Sequence, residues 1–216
     1  MDKQNDVALV LDGDSLQIKD VVDVARGGRP VRLDDGAAAR VAECRAWVDQ
    51  VVARGQPVVY GVNTGFGLFA NVNVDSADAA TLSRNLILSH SVGVGEPLPE
   101  DVVRAAMLVR ANTLSIGHSG VRLQTLNTLL AMLNAGVHPV VPEIGSLGAS
   151  GDLAPLSHLV LVMSRGNDAG SGEDESGSSK AELNSVVFGP GMASPCSSVF
   201  NLAASIGYEL YDGRAG

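Results

Sequence analysis

Aromatic side chains make up only 4% of this 216-residue chain: one Trp, three Tyr and four Phe. A core must therefore be built from Val, Leu and Ala. Cysteine is nearly absent. Cys44 and Cys196 lie far apart with no CxxC or Cys/His spacing, which argues against a disulfide framework, a zinc site or any metal. Lysine is scarce too, three among fifteen basic residues against twenty-four acidic ones, for a net charge of −9. With no basic patch to release counterions, nucleic acid is not an expected partner. No apolar run approaches a bilayer span, so a membrane partner is not expected either. The start, Met1-Asp-Lys-Gln-Asn-Asp6, lacks the apolar segment of a secretion signal, and a cytoplasmic location is the expectation. What is present is 45% apolar residues, enough for one large domain or two small ones.

Periodicity gives a mainly helical reading. Residues 7–18 alternate loosely around Asp12-Gly13 and read as a small hairpin. Val21–Ala25 runs into a break at Arg26-Gly-Gly-Arg-Pro30. Asp34 or Asp35 caps a helix over about 36–54, with Val41, Cys44, Val48, Val51 and Val52 inward, Trp47 packing, and Gly55 ending it. Val58 to Val62 is strand-like and leads into a glycine loop, Gly61-Val-Asn-Thr-Gly-Phe-Gly67, which lacks dinucleotide-binding spacing. A helix starts at Ser76 or Asp78, passes Leu82 and Leu86, and stops at Gly93-Val-Gly95. Pro99 opens a helix to Ser115 through Val102, Val103, Ala106, Val109 and Ala111. A second helix over 121–135 completes an αα-hairpin. His118 and His138 have no partner at ligand spacing and read as structural. Val137–Glu143 is extended. Leu153–Arg165 is a helix apolar on nearly every side, as in the centre of a bundle.

The most informative stretch is Gly145-Ser-Leu-Gly-Ala-Ser-Gly-Asp-Leu-Ala-Pro-Leu156, with three glycines in seven residues. One reading is a tight turn before a helix, with Ser150 or Asp152 as N-cap. The other is chemical. In a bent Ala149-Ser150-Gly151, the unhindered amide nitrogen of Gly151 attacks the carbonyl carbon of the small Ala149. Loss of water closes a five-membered ring, and loss of a second water from Ser150 leaves an exocyclic methylene. Side chains supply nucleophiles, acids and bases, so an electrophile has to come from a cofactor or be made in this way.

This stretch resembles the signature of the aromatic amino acid ammonia-lyases, and within them the histidine ammonia-lyases. Tyr60-Gly-Val-Asn-Thr-Gly-Phe-Gly67 is similar to a second signature of that family. Asn85-Leu-Ile-Leu-Ser-His-Ser-Val-Gly-Val-Gly95 resembles the segment that selects substrate, and its Ser89-His90 pair favours histidine over phenylalanine or tyrosine. Arg110-Ala-Asn-Thr113 and Gly117-His-Ser-Gly-Val-Arg122 are also similar to the family. The resemblance covers roughly residues 7–165. It implies a mainly α architecture, the helical N-terminal portion of the ammonia-lyase (fumarase/aspartase-like) fold, preceded by a small β and loop region.

The resemblance also implies an activity: non-oxidative elimination of ammonia from L-histidine to give trans-urocanate, with no external cofactor. A methylidene-imidazolone self-formed from Ala149, Ser150 and Gly151 takes the substrate amine. Tyr60, on a loop over the site, takes the β-proton. A free phenol holds its proton to about pH 10, so this needs a stabilised phenolate, for example at helix N-termini. His90 positions the imidazole ring, Asn63 and Gly67 shape the loop beneath Tyr60, and Asp152 polarises the cyclising loop. Full-length family members are homotetramers whose sites draw on three chains.

Three alternatives stay open. One is the same chemistry on phenylalanine or tyrosine, or an aminomutase. Another is a serine hydrolase using Ser150, a histidine and Asp152, although Gly148-Ala-Ser-Gly-Asp152 departs from the nucleophile elbow GxSxG. The third is a catalytically silent fragment. Residues 1–165 read as the lyase N-terminal portion and the start of its central helices. Residues 166–216 read as an acidic low-complexity linker and an unmatched tail, as a truncation or a shifted reading frame would leave.

Overall fold

A computed structural model describes residues 7–74 and 76–163, with the side chains of 76–80 left aside. The acidic linker, the tail with Cys196 and the last two residues of the expected final helix lie outside the described residues. The order is β1 (Leu9–Leu11), α1 (Ile18–Ala25), β2 (Val31–Leu33), α2 (Asp35–Arg54), α3 (Ser76–His90), β3 (Val94–Pro97), α4 (Glu100–Ser115), α5 (Leu123–Ala135), β4 (Pro142–Ile144) and α6 (Leu153–Met163). Short 3₁₀ turns occupy Gly67–Phe69 and Gly148–Ser150. The mainly helical reading holds, and the strands form two separate pairs.

The expected hairpin over 7–18 is not formed. β1 pairs in parallel with β2, Leu9 opposite Val31 and Leu11 opposite Leu33, and α1 makes the crossover. The cause is local. The Asp12 carboxylate accepts the amides of Asp14 and Ser15, both at 2.9 Å, which turns the chain into α1 rather than back along β1. Those two bonds hold the carboxyl down to about 2. The edge of β2 is then closed by a side chain: Asn134 of α5 accepts the Val31 amide at 2.8 Å and donates to the Val31 carbonyl at 2.9 Å.

Asp34 caps α2 by accepting the Ala37 amide at 3.0 Å, and Gly55 ends the helix. The buried stripe of α2 is Ala37, Val41, Arg45, Val48 and Val51. Trp47 therefore faces away and is 50% exposed, not packed inward. Val58–Val62 is not a strand but a run of turns. Its backbone groups are met locally by Asn63 and Thr64, which removes the need for a partner strand. Val94–Pro97, which the sequence suggested only as a helix stop, pairs antiparallel with the extended Pro142–Ile144.

The core lies between α4, α5 and α6. Met107, Leu108, Leu126, Leu129 and Leu156 are fully buried, with Ile87 of α3 beside them. Val109 is the exception on α4: it is 41% exposed, because the inward stripe passes through Arg104 and Arg110 instead. Arg104 donates to the carbonyls of Val24 and Ala25 at 3.0 and 3.1 Å and of Leu133 at 3.2 Å. One guanidinium thus satisfies carbonyls at the C-terminal ends of both α1 and α5, where cations are electrostatically favoured. No helix among the described residues is long and apolar enough to cross a membrane.

Replacing Arg104 by Met keeps the apolar stem and strands three buried carbonyls. Urea unfolding is expected to show a loss of about 2–4 kcal/mol, whereas Trp47→Ala on the exposed face should change stability by less than about 1 kcal/mol.

Candidate active site

Two segments flank α6 at its N-terminal end. The first is the turn 148–150. Ser150 and Gly151 donate their amides to the carbonyls of Leu147 (2.9 Å) and Gly148 (3.1 Å), and the Ser150 hydroxyl donates to Leu147 O at 2.7 Å. Gly151 closes the turn at φ +80°, in the left-handed region where glycine carries no Cβ penalty. Asp152 follows at φ +57° and is the one non-glycine residue with positive φ among the described residues. Its carboxylate accepts a hydrogen bond from the Ser146 hydroxyl, tying the entry of the loop to its exit. Holding Asp152 left-handed costs about 1 kcal/mol. Gly148 and Ala149 are exposed, and a Cβ added at Gly148 would meet nothing within 4 Å.

The second segment is the end of α3. His90 Nδ1 lies 2.8 Å from the carbonyl oxygen of Leu86 and 3.1 Å from the Ser89 hydroxyl. A carbonyl oxygen only accepts, so Nδ1 carries the proton. Ser89 Oγ also bonds Leu86 O at 3.0 Å. The Ser89-His90 pair is thus locked onto the last turn of its helix.

The residues that follow His90 and those that precede the turn are brought together. α3 packs on α6, Val94 pairs with Ile144, and a Cβ on Gly145 would sit 3.1 Å from Gly93 Cα and 3.4 Å from Ala154 Cβ.

The Tyr60 loop is built separately. Buried Asn63 accepts the Val59 amide at 2.7 Å and donates to Pro57 O at 3.0 Å. Gly65 N bonds Val72 O, Val74 N bonds Asn63 O, and Thr64 bridges Asn73. Gly67 starts the short 3₁₀ turn at φ +56°. Tyr60 stands on this frame 59% exposed, edge-on to Phe66 with ring centroids 5.7 Å apart. The half-buried, hydrogen-bonded tyrosine that a lone Tyr usually is does not describe it. Both ends of the Asn63 side-chain amide are thus bonded to backbone within the loop.

The serine hydrolase arrangement is not assembled among the described residues. Ser150 Oγ is bonded to a backbone carbonyl and Asp152 to Ser146, so neither meets a histidine. No group of His, Cys, Asp and Glu among the described residues could hold a metal ion. His138 lies 3.5 Å from Glu100, and His118 is exposed. Sequence reasoning missed His158 of α6, whose Nε2 accepts the Gly93 amide at 3.1 Å. Its one signal was a polar ring in an otherwise apolar helix.

The sequence profile of the family described as aromatic amino acid lyase matches residues 16–187. The chain belongs to this family. The match runs on through the stretch set apart above as a low-complexity linker. A histidine ammonia-lyase of Alkaliphilus oremlandii is 54% identical over 155 residues, covering 72% of this chain and 30% of that protein. Among solved structures, the ergothioneine-degrading ergothionase of Treponema denticola superimposes with a TM-score of 0.71 at 32% identity, over 92% of this chain and 39% of that one. The histidine ammonia-lyase of Trypanosoma cruzi gives 0.67 at 35% identity, over 91% and 37%. The chain thus spans about a third of the length of these lyase-family relatives.

Asn63→Ala removes the two side-chain bonds that Asn63 makes to the backbone of the Tyr60 loop. Hydrogen exchange at the Val59 amide should then accelerate about tenfold or more, with α4 amides unchanged.

Proposed function

We propose that this chain carries the N-terminal part of a histidine ammonia-lyase site, catalysing non-oxidative deamination of L-histidine to trans-urocanate and ammonia. The observation that carries the proposal is that Gly93 and Val94, just beyond the Ser89-His90 pair, pack and pair with Gly145 and Ile144, the strand and loop that lead into Ala149-Ser150-Gly151. The curated relatives at this level of identity, named histidine ammonia-lyases, point the same way.

The residues present suit a self-formed methylidene-imidazolone. Ala149 is exposed, no neighbour crowds Gly148, and Gly151 supplies an amide nitrogen free of side-chain obstruction in a chain already turned on itself. Such a group supplies an electrophilic carbon that takes the substrate amine and makes it a better leaving group.

The chain's own residues do the rest. His90 receives the substrate ring through the lone pair on Nε2, which can accept the N–H of a substrate imidazole. A phenyl ring offers no such donor, which favours histidine. Tyr60 is the group that takes the β-proton. Its exposed place on a tightly self-bonded loop keeps it reachable while Asn63 and Gly67 hold its backbone. Asp152, fixed by Ser146, holds the turn bent during cyclisation. Assembly as a homotetramer completes the site in this reading.

The test is product formation from L-histidine, L-phenylalanine and L-tyrosine side by side. Urocanate from histidine alone is expected, and Tyr60→Phe should lower kcat by about 10²–10⁴-fold, the usual worth of a positioned base. Cinnamate or coumarate as the main product would move the assignment to the phenylalanine or tyrosine enzymes. An inactive, folded chain would mark it as a silent fragment.

A further inference from the structure

We propose that His158, as the neutral Nδ1–H tautomer, is a positioning residue: its Nε2 accepts the Gly93 amide proton and so fixes the spacing between the His90 segment and the Ala149-Ser150-Gly151 turn. The contact stands on geometry alone. Its functional consequence deepens the lyase reading above and rests on it.

After α3 ends at His90, the Ser91 amide and hydroxyl both turn back to Ile87 O, at 3.0 and 2.8 Å. The next anchor of the chain is the Gly93 amide, 3.1 Å from His158 Nε2. An amide N–H only donates, so Nε2 must be unprotonated. The half-buried setting agrees, since burial holds the imidazolium below its ordinary range.

His158 lies one helical turn beyond Ala154, on the same face of α6. Ala154 Cβ would be 3.4 Å from a Cβ on Gly145. A Cβ on Gly93 would fall 3.0 Å from His158 Nε2 and 3.1 Å from Pro142. Thus one face of α6 touches the start of the cyclising loop through Ala154 and the exit of the substrate-selecting helix through His158. A leucine at 158 would fill the space but leave the Gly93 amide with no acceptor. A glutamine would return an acceptor oxygen at similar reach.

The test uses the full chain, isotopically labelled, with His158→Leu and His158→Gln. Three readouts are taken: the ¹⁵N shifts of the His158 ring, hydrogen exchange at Gly93, and exchange at Met107 and Leu108 as a control for the fold. Expected are an unprotonated Nε2, Gly93 exchange about tenfold faster in His158→Leu, and restored protection in His158→Gln. With L-histidine as substrate, KM should rise in His158→Leu more than kcat falls, and glutamine should restore it. A protonated Nε2, or unchanged Gly93 exchange in a folded His158→Leu, overturns the proposal. Should His158→Leu not fold, the ring shifts of the unsubstituted chain decide. A chain without lyase activity refutes the functional reading, and the Gly93 and His158 readouts then still decide this one.

Discussion

The seating of the α3 exit against the loop before α6 depends on how closely two backbones approach at Gly93 and Gly145. A methyl group on either would come within 3.1 Å of its neighbours, among them the Gly93 Cα, Pro142 and the His158 ring. At such distances the neighbouring groups must give way by a few tenths of an ångström. Side chains at these positions would push the exit of α3 away from the loop that precedes α6. The pairing of Val94 with Ile144 and the His158–Gly93 hydrogen bond both act across this junction. It makes one unit of two segments that lie about fifty residues apart in the chain.

Behind the junction the helices supply rigidity. α6 buries Ala154, Leu156, Leu159, Val160 and Met163, and α4 buries Met107 and Leu108. Arg104 holds the ends of α1 and α5 to this core. On so firm a base the turn before α6 can hold a left-handed Asp152 and a tightly folded Ala149-Ser150-Gly151. Strain of this kind persists only where the surroundings over-determine it. Closing a ring between two backbone atoms demands that kind of fixed bend, because a free chain seldom brings the two atoms together.

Much of this was legible in the sequence. The helical periods of α2, α4, α5 and α6, a cap at Asp34 or Asp35 and the stop at Gly55 followed from apolar spacing and cap chemistry. The segments that resemble the family were legible because their chemistry needs particular residue types at fixed spacing. What failed was what depends on side-chain contacts at a distance. The parallel pairing of β1 with β2 rests on Asn134, about a hundred residues away, and on two Asp12 hydrogen bonds that redirect the chain. Val58–Val62 has strand composition, but Asn63 satisfies its backbone first. Trp47 was read as packing by residue type and Val109 as inward by spacing, whereas arginines at 45, 104 and 110 occupy the buried stripes, which no hydrophobic pattern reveals. His158 was passed over because a single polar ring in an apolar helix gives no period to read.

The central claim is that the chain makes its own electrophile from Ala149, Ser150 and Gly151. The direct measurement is the intact mass of the purified chain, with a peptide map across residues 145–156. A deficit of two waters confined to that peptide, and absent from Ser150→Ala, is the predicted result. An unmodified Ala149-Ser150-Gly151 in a chain that is otherwise folded would contradict the account.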